Sequence, residues 1–330
     1  MTREALPWLA DPWRRAAAAL VDGRMPSGLL ILGHAGLGRG RLARDIVAAR
    51  LCPNRDAEGT PCGECRDCRQ VAAGTHPDFL TVEPEEEGKA LRVDQIRELA
   101  RAMALTPGRQ GVRCAVIAPA QRMTESAANG LLKTLEEPPG GTTLILVAEG
   151  AAGLPATIVS RCLRLHVPPP SREAGMAWLR DRVEPESADM FLALAGGAPL
   201  AAAKLAGDWP DDPAKTVGSL LHAAAGRAEP VSVANRFADW PLERLAELLA
   251  WLARGALRLR LGESGARYGW PRDLAPLAGR GDPRGLSGLW SEARKVALDP
   301  ASLNPALARE RLVLLFVNSF RTSARQGSRP

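Results

Sequence analysis

The chain has 330 residues, 46% of them hydrophobic and 24% charged, a composition that suits a globular protein with room for two or three cores. No run approaches the roughly 20 apolar residues that a bilayer-spanning helix needs, and the opening MTREALPWLADPW lacks the apolar core of a signal peptide, so a cytoplasmic protein without membrane contact is expected. The net charge of +6 comes from 43 basic residues, nearly all Arg and scattered among Asp and Glu, while one Tyr and five Phe are too few for a base-stacking platform. Sequence-specific reading of nucleic acid is therefore not expected, and weak contact with phosphate backbone stays open.

In chain order, the first apolar run is GLLIL at 28–32. It leads into GHAGLGRGR at 33–41 and then into LARDIVAARL, which has helical spacing. Strand, glycine-rich turn and helix form the setting of a phosphate loop, G-x-x-x-x-G-K-[ST]. Gly33 and Gly38 fall where that pattern wants glycines, with Gly36 between them. Arg39 replaces the lysine, and Gly40 replaces the Ser or Thr that would hold magnesium. Arg39 can supply charge without the compact geometry of an ammonium; Gly40 supplies no hydroxyl.

Directly after this helix, Cys52, Cys62, Cys65 and Cys68 give the spacing C-x9-C-x2-C-x2-C within an insert at 52–68. Four thiolates close a tetrahedral shell and leave no open position, which predicts a structural metal site, with zinc favoured because nothing else in the chain suggests redox work. Unliganded thiols in a polar loop are the alternative. Cys114 and Cys162 fall in or beside expected strands and read as packing residues.

Further runs at 78–82 (DFLTV), 112–117 (VRCAVI) and 142–148 (TTLILVA) are short and largely unalternated, as in strands buried on both faces of a parallel sheet. Between them, VDQIRELARAMAL puts Val93, Ile96, Leu99, Ala100 and Met103 on one helical face, and TESAANGLLKTLEE reads as a helix stopped by Pro138 and Pro139. The alternation predicts a three-layer α/β domain. The run at 112–117, in CAVIAPAQRM, leads into Ala118, Pro119, Ala120 and Gln121, with no carboxylate to hold a metal or polarise water, so hydrolysis of ATP by this chain alone is not expected.

TIVSRCLRLH at 157–166 carries Arg161 between Ser160 and Cys162, before a short strand. Taken alone, Arg161 is either an ion-pair residue or an arginine finger acting on a neighbour's site. His34, His76, His166 and His222 lie far apart without a matched nucleophile, and His76 in GTHPDF is expected to order a turn. VPPPSRE at 167–173 reads as a boundary, small helices follow to about 207, and GDWPDDP at 207–213 reads as a second hinge. Beyond it lie Leu/Ala-rich helices, clearest in PLERLAELLAWLARGALRLRL, and a tail, TSARQGSRP, expected to fray.

In this order, the degenerate glycine loop, four-Cys insert, GTHPDF, NGLLKTLEEPP and SRC resemble the bacterial clamp-loader subunits of the AAA+ family. The missing Lys, Ser/Thr and acidic groups make the chain most similar, within that family, to the delta-prime subunits of DNA polymerase III. The likeness is specific over about 25–170 and rests beyond that mainly on length and helical pattern. It implies an AAA+ P-loop-like α/β domain over 1–167, a small helical lid over 168–207 and an all-α collar for oligomerisation over 208–330. It implies zinc on Cys52, Cys62, Cys65 and Cys68, and Arg161, flanked by Ser160 and Cys162, as a finger reaching the adjacent subunit's ATP. ATP is then expected only in neighbouring subunits, with tau/gamma and delta subunits as partners and the sliding clamp and primer-template DNA met indirectly. In the lid segment LAGGAPLAA no Arg stands where motor subunits carry a sensor arginine; Pro199, Leu200 and Ala201 are there instead. The implied role is a non-hydrolysing stator in a DNA-directed DNA polymerase (nucleotidyltransferase) holoenzyme, which helps ATP-dependent loading of the clamp onto primed DNA. Two rivals are a tau/gamma-like ATPase in which Arg39 replaces the lysine, and a zinc-dependent DNA-binding module outside replication.

Overall fold

The computed structural model describes residues 6–86, 88–108, 111–263, 270–300 and 303–321; the tail expected to fray, 322–330, lies outside them. The chain divides into two compact units, Met1–Ala174 and Gly175–Pro330.

The first unit is the expected three-layer α/β domain. Its elements run α1 (Ala10–Val21), β1 (Gly28–Leu32), α2 (Arg39–Leu51), α3 (Arg66–Ala73), β2 (Phe79–Val82), α4 (Val93–Ala104), β3 (Arg113–Ile117), α5 (Glu125–Glu136), β4 (Thr142–Ala148), α6 (Ala156–Val159) and β5 (Leu163–His166). Five parallel strands lie in the order β2-β3-β4-β1-β5. Every residue of β1, β3 and β4 is buried, whereas β5 at the sheet edge exposes Leu163, Arg164 and His166. That is why the three central runs show no polar alternation in the sequence.

Alternate side chains serve the two faces of the sheet. Leu30, Leu32, Ala115, Ile117, Leu144 and Leu146 join Ile96, Leu99 and Met103 of α4 and Leu131 and Leu135 of α5 in one core. α2 packs against β1, β3 and β4. Thr124 starts α5 by accepting the Ala127 N–H, which satisfies one of the helix's orphan donors.

The second unit is helical: α7 (Arg172–Leu179, which contains the junction), α8 (Pro185–Leu194), α9 (Pro199–Gly207), α10 (Pro213–Ala224), α11 (Pro230–Asn235), α12 (Leu242–Arg260), α13 (Leu274–Ala278), α14 (Pro283–Leu298) and α15 (Pro305–Asn318). An acid or amide before a proline starts four of these helices. The side chains of Asp212, Glu229, Asp282 and Asn304 accept backbone N–H groups at the heads of α10, α11, α14 and α15. α12 buries Leu245, Leu248, Leu249, Leu252 and Ala256 and packs on α14 and α15.

The connection at 207–213, expected to hinge, is tied down within this unit. The Trp209 ring lies 5.1 Å from Phe191 of α8 and 4.9 Å from Trp240, which in turn lies 5.1 Å from Phe237. Trp240 Nε1 donates to Asp211 Oδ2 at 3.2 Å, and Arg244 Nη1 donates to the Asp208 carbonyl at 3.2 Å. Among the described residues no single helix is long and apolar enough to cross a membrane.

Candidate metal centre, glycine loop and exposed arginine

The four cysteines predicted as ligands converge. Cys52 ends α2, Cys65 is the cap of α3, Cys68 lies in its first turn, and Cys62 comes from the connecting loop. The Sγ atoms are 3.6 Å apart for Cys52–Cys62, 3.9 Å for Cys52–Cys65 and 4.0 Å for Cys62–Cys68, and all four lie within 4.8 Å of one another. A tetrahedral ion with metal–sulfur bonds of about 2.3 Å needs sulfurs about 3.8 Å apart. The donor set fits such an ion.

Backbone amides also point at the sulfurs, from Cys62 N to Cys52 Sγ at 3.5 Å, Cys65 N to Cys62 Sγ at 3.4 Å and Cys68 N to Cys65 Sγ at 3.4 Å. Such donors favour thiolate over thiol. The Cys65 amide and then that of Glu64 draw Cys62 down to about 7, while burial pushes Cys52 and Cys68 up. Cys114 and Cys162 lie apart from this cluster, buried as packing residues.

The cluster is fastened to the sheet by His76. Its Nδ1 accepts the Asp78 N–H at 3.0 Å, which leaves Nε2 as the protonated nitrogen, 3.3 Å from Asp67 Oδ1 in α3. The histidine thus orders the turn before β2, as the sequence suggested, and also ties that turn to Asp67 of α3, which lies between the third and fourth cysteines. Beside it, Asp78 and Arg113 form a buried ion pair with no signal in the sequence. Asp78 Oδ1 accepts Arg113 Nη2 at 2.8 Å and Nε at 3.0 Å, and the Gly108 amide donates to Oδ2 at 3.1 Å.

The glycine loop keeps its backbone shape. Gly38, at φ +82°, heads α2 in the left-handed region. A Cβ on Gly33 would sit 2.6 Å from the Val167 carbonyl, so only glycine lets the chain leave β1 so close to the residue after β5. Trp8 Nε1 donates to the Leu37 carbonyl at 2.9 Å and holds the crest of the loop.

Arg39 does not extend into solvent. Its side chain is 12% exposed, and Nη2 lies 3.9 Å from Oε1 of Glu149, the residue after β4. Burial lowers the Arg39 pKa, and Glu149 pulls it back up. Apart from its chain neighbours and its own helix backbone, nothing among the described residues stands within 4 Å of where a Cβ on Gly40 would be, and glycine itself brings no hydroxyl. The Gln121 Oε1 past β3 is buried without a hydrogen-bond partner.

Arg161 lies at the other end of the sheet. Its carbonyl is 3.1 Å from a Cβ built on Gly28, the first residue of β1, whereas the glycine loop begins after Leu32, the last. Five residues of strand separate the two, about 16 Å at about 3.3 Å per residue. Ser160 and Arg161 are exposed, while Cys162 turns inward into the core and its thiol is pushed up to about 11 by burial. Arg161 Nη1 donates to the Thr157 carbonyl at 2.9 Å, and Nη2 meets Glu136 Oε1 at 2.6 Å. The sequence singled out Arg161 without its partners, which lie on α5 and α6.

A family model described as DNA polymerase III, delta subunit, matches residues 10–171. The delta′ subunit of Pseudomonas aeruginosa DNA polymerase III is 33% identical over 92% of this chain and 96% of its own length. The delta′ subunit of Yersinia pestis is 32% identical over 82% of this chain and 81% of its own. The tau subunit of Salmonella typhimurium is 32% identical over 46% of this chain and 23% of its own.

Proposed function

The chain belongs to the family of DNA polymerase III delta′ subunits, and from that premise we propose that it is a non-hydrolysing stator of the clamp loader that lends Arg161 to the ATP site of a neighbouring subunit. In this reading residues 1–167 form the AAA+ domain, 168–207 a lid and 208–330 the collar that joins it to tau/gamma and delta subunits. The assembly loads the sliding clamp onto primed DNA.

The carrying observation is the position of Arg161. It is exposed and about 16 Å of strand away from its own glycine loop, so whatever nucleotide it serves belongs to another chain. Two further features support the reading. The groups that would work on a nucleotide bound here are absent: Gly40 carries no hydroxyl for magnesium, Arg39 is turned toward Glu149, and no carboxylate follows β3 at Ala118–Gln121. Four soft thiolates with no open position favour zinc over harder cations and a structural over a catalytic role. Bound there, zinc would supply a cross-link between the end of α2 and the start of α3.

The test is the ATPase of a reconstituted clamp loader with clamp and primed DNA, wild type against Arg161→Ala, with the isolated chain alongside. A silent isolated chain and a fall of tenfold or more in the assembly's turnover agree with the reading; arginine fingers elsewhere contribute on the order of 10³–10⁵ in kcat at the site they complete. An unchanged assembly rate refutes the finger. Turnover by the isolated chain refutes the stator.

A further inference from the structure

The turn that carries Arg161 is closed by its own hydrogen bonds. Arg161 N donates to the Ile158 carbonyl at 3.1 Å, and Ser160 Oγ to the Thr157 carbonyl at 3.1 Å. Hydrogen bonds of the backbone do not fix the far end of a long, flexible side chain. There the two terminal nitrogens are held separately, Nη1 by the Thr157 carbonyl at 2.9 Å and Nη2 by Glu136 at 2.6 Å. Two anchors define the plane of the guanidinium. Of its five N–H donors they use two, which leaves three for an acceptor from outside.

Glu136 closes α5, the helix of the NGLLKTLEEPP segment, and its side chain is 49% exposed against 36% for Arg161. The pair therefore lies at the surface, where it fixes geometry but is too weak to lock the arginine away.

We propose that Glu136 is a positioning residue for Arg161, orienting the guanidinium so that its free N–H groups face a phosphate of the adjoining subunit. The proposal rests on the trans-acting reading of Arg161. It assigns to the end of α5 a share in completing the neighbour's site, beyond its packing in the core.

The experiment is a double-mutant cycle in the reconstituted clamp loader, with steady-state kcat and KM for ATP. Glu136→Ala lowers kcat about three- to fivefold, the scale an exposed ion pair can impose, and leaves KM unchanged. Glu136→Gln, which keeps an oxygen acceptor, recovers most of the loss. In the Arg161→Ala background, Glu136→Ala changes nothing further, as expected of a residue that acts only through Arg161. An unchanged or raised kcat for Glu136→Ala, with Arg161→Ala still damaging, overturns the positioning role and leaves the finger intact. An equal loss in both backgrounds also overturns it, since Glu136 would then act through the fold. A silent Arg161→Ala removes the finger itself and the positioning role with it.

Discussion

Asp78→Ala is expected to destabilise the first unit strongly. The pair it breaks is nearly closed to water, with side-chain exposures of 9% for Arg113 and 6% for Asp78. Removing one partner of a buried ion pair costs about 3–5 kcal/mol, because the other charge stays behind uncompensated. Arg113 would keep the carbonyls of Ala102, Leu105 and Thr106, which argues for the lower end of that range. The Gly108 amide, however, loses its acceptor, which adds about 1 kcal/mol. The net expectation is about 3–4 kcal/mol. For a unit the size of Met1–Ala174, at about 2–4 °C per kcal/mol, that is a melting shift of roughly 6–16 °C.

Two units need not melt together, so the assay is amide hydrogen exchange resolved to β2, β3 and the 105–108 connection, beside a calorimetric scan. Exchange should accelerate in those segments and stay unchanged in α12–α15. Asp78→Ala/Arg113→Met, which removes both charges, should recover much of the loss. A melting shift below about 2 °C, or a double variant as unstable as the two single losses added, would refute the assignment of this pair as the clasp of β2 and β3.

Other outcomes follow from the cysteines. The purified chain should carry one equivalent of zinc; stripping it with a chelator, or replacing Cys65 by Ser, should expose the remaining thiols of the cluster to alkylation and lower the melting temperature of the first unit. Metal-free protein that melts unchanged would count against a structural ion. Cys114 and Cys162, raised by burial to about 12 and about 11, should resist alkylation at pH 8 in the native chain and react in denaturant. Because the native state keeps protons that the unfolded chain sheds above about pH 8.5, the contribution of these thiols is complete below that pH. It is lost as pH rises toward the folded values. Cys162→Ala should therefore flatten the decline in stability between pH 9 and 11; an equally steep decline would exclude the thiol as its source.

The sheet was legible because buried parallel strands write themselves as unbroken apolar runs: 28–32 and 142–148 read from the sequence match β1 and β4 residue for residue. The metal cluster was legible for a similar reason, since four ligands at chelating spacing within one short insert form a local pattern. The partners of the charged groups were hidden. Arg113 and Asp78 are 35 residues apart, and each taken alone looks like an ordinary charge at a strand end. Glu149 beside Arg39 and Glu136 beside Arg161 are likewise brought in by strand order and helix packing, which no local spacing encodes. At 207–213 two prolines and Gly207 describe the backbone, whereas the contacts of the Trp209 ring with Phe191 and Trp240 come from packing that no local pattern encodes.

That ring has a mechanical consequence. Phe191, Trp209, Trp240 and Phe237 form a row of edge-on contacts running from α8, through the connection, to the head of α12. Pulling the connection away from α8 or from the head of α12 means parting these rings, at about 0.5–1.5 kcal/mol for each contact. The stretch whose prolines suggest a joint is thus moored at both ends by its tryptophan, so any bending there has to be matched against the loss of those contacts.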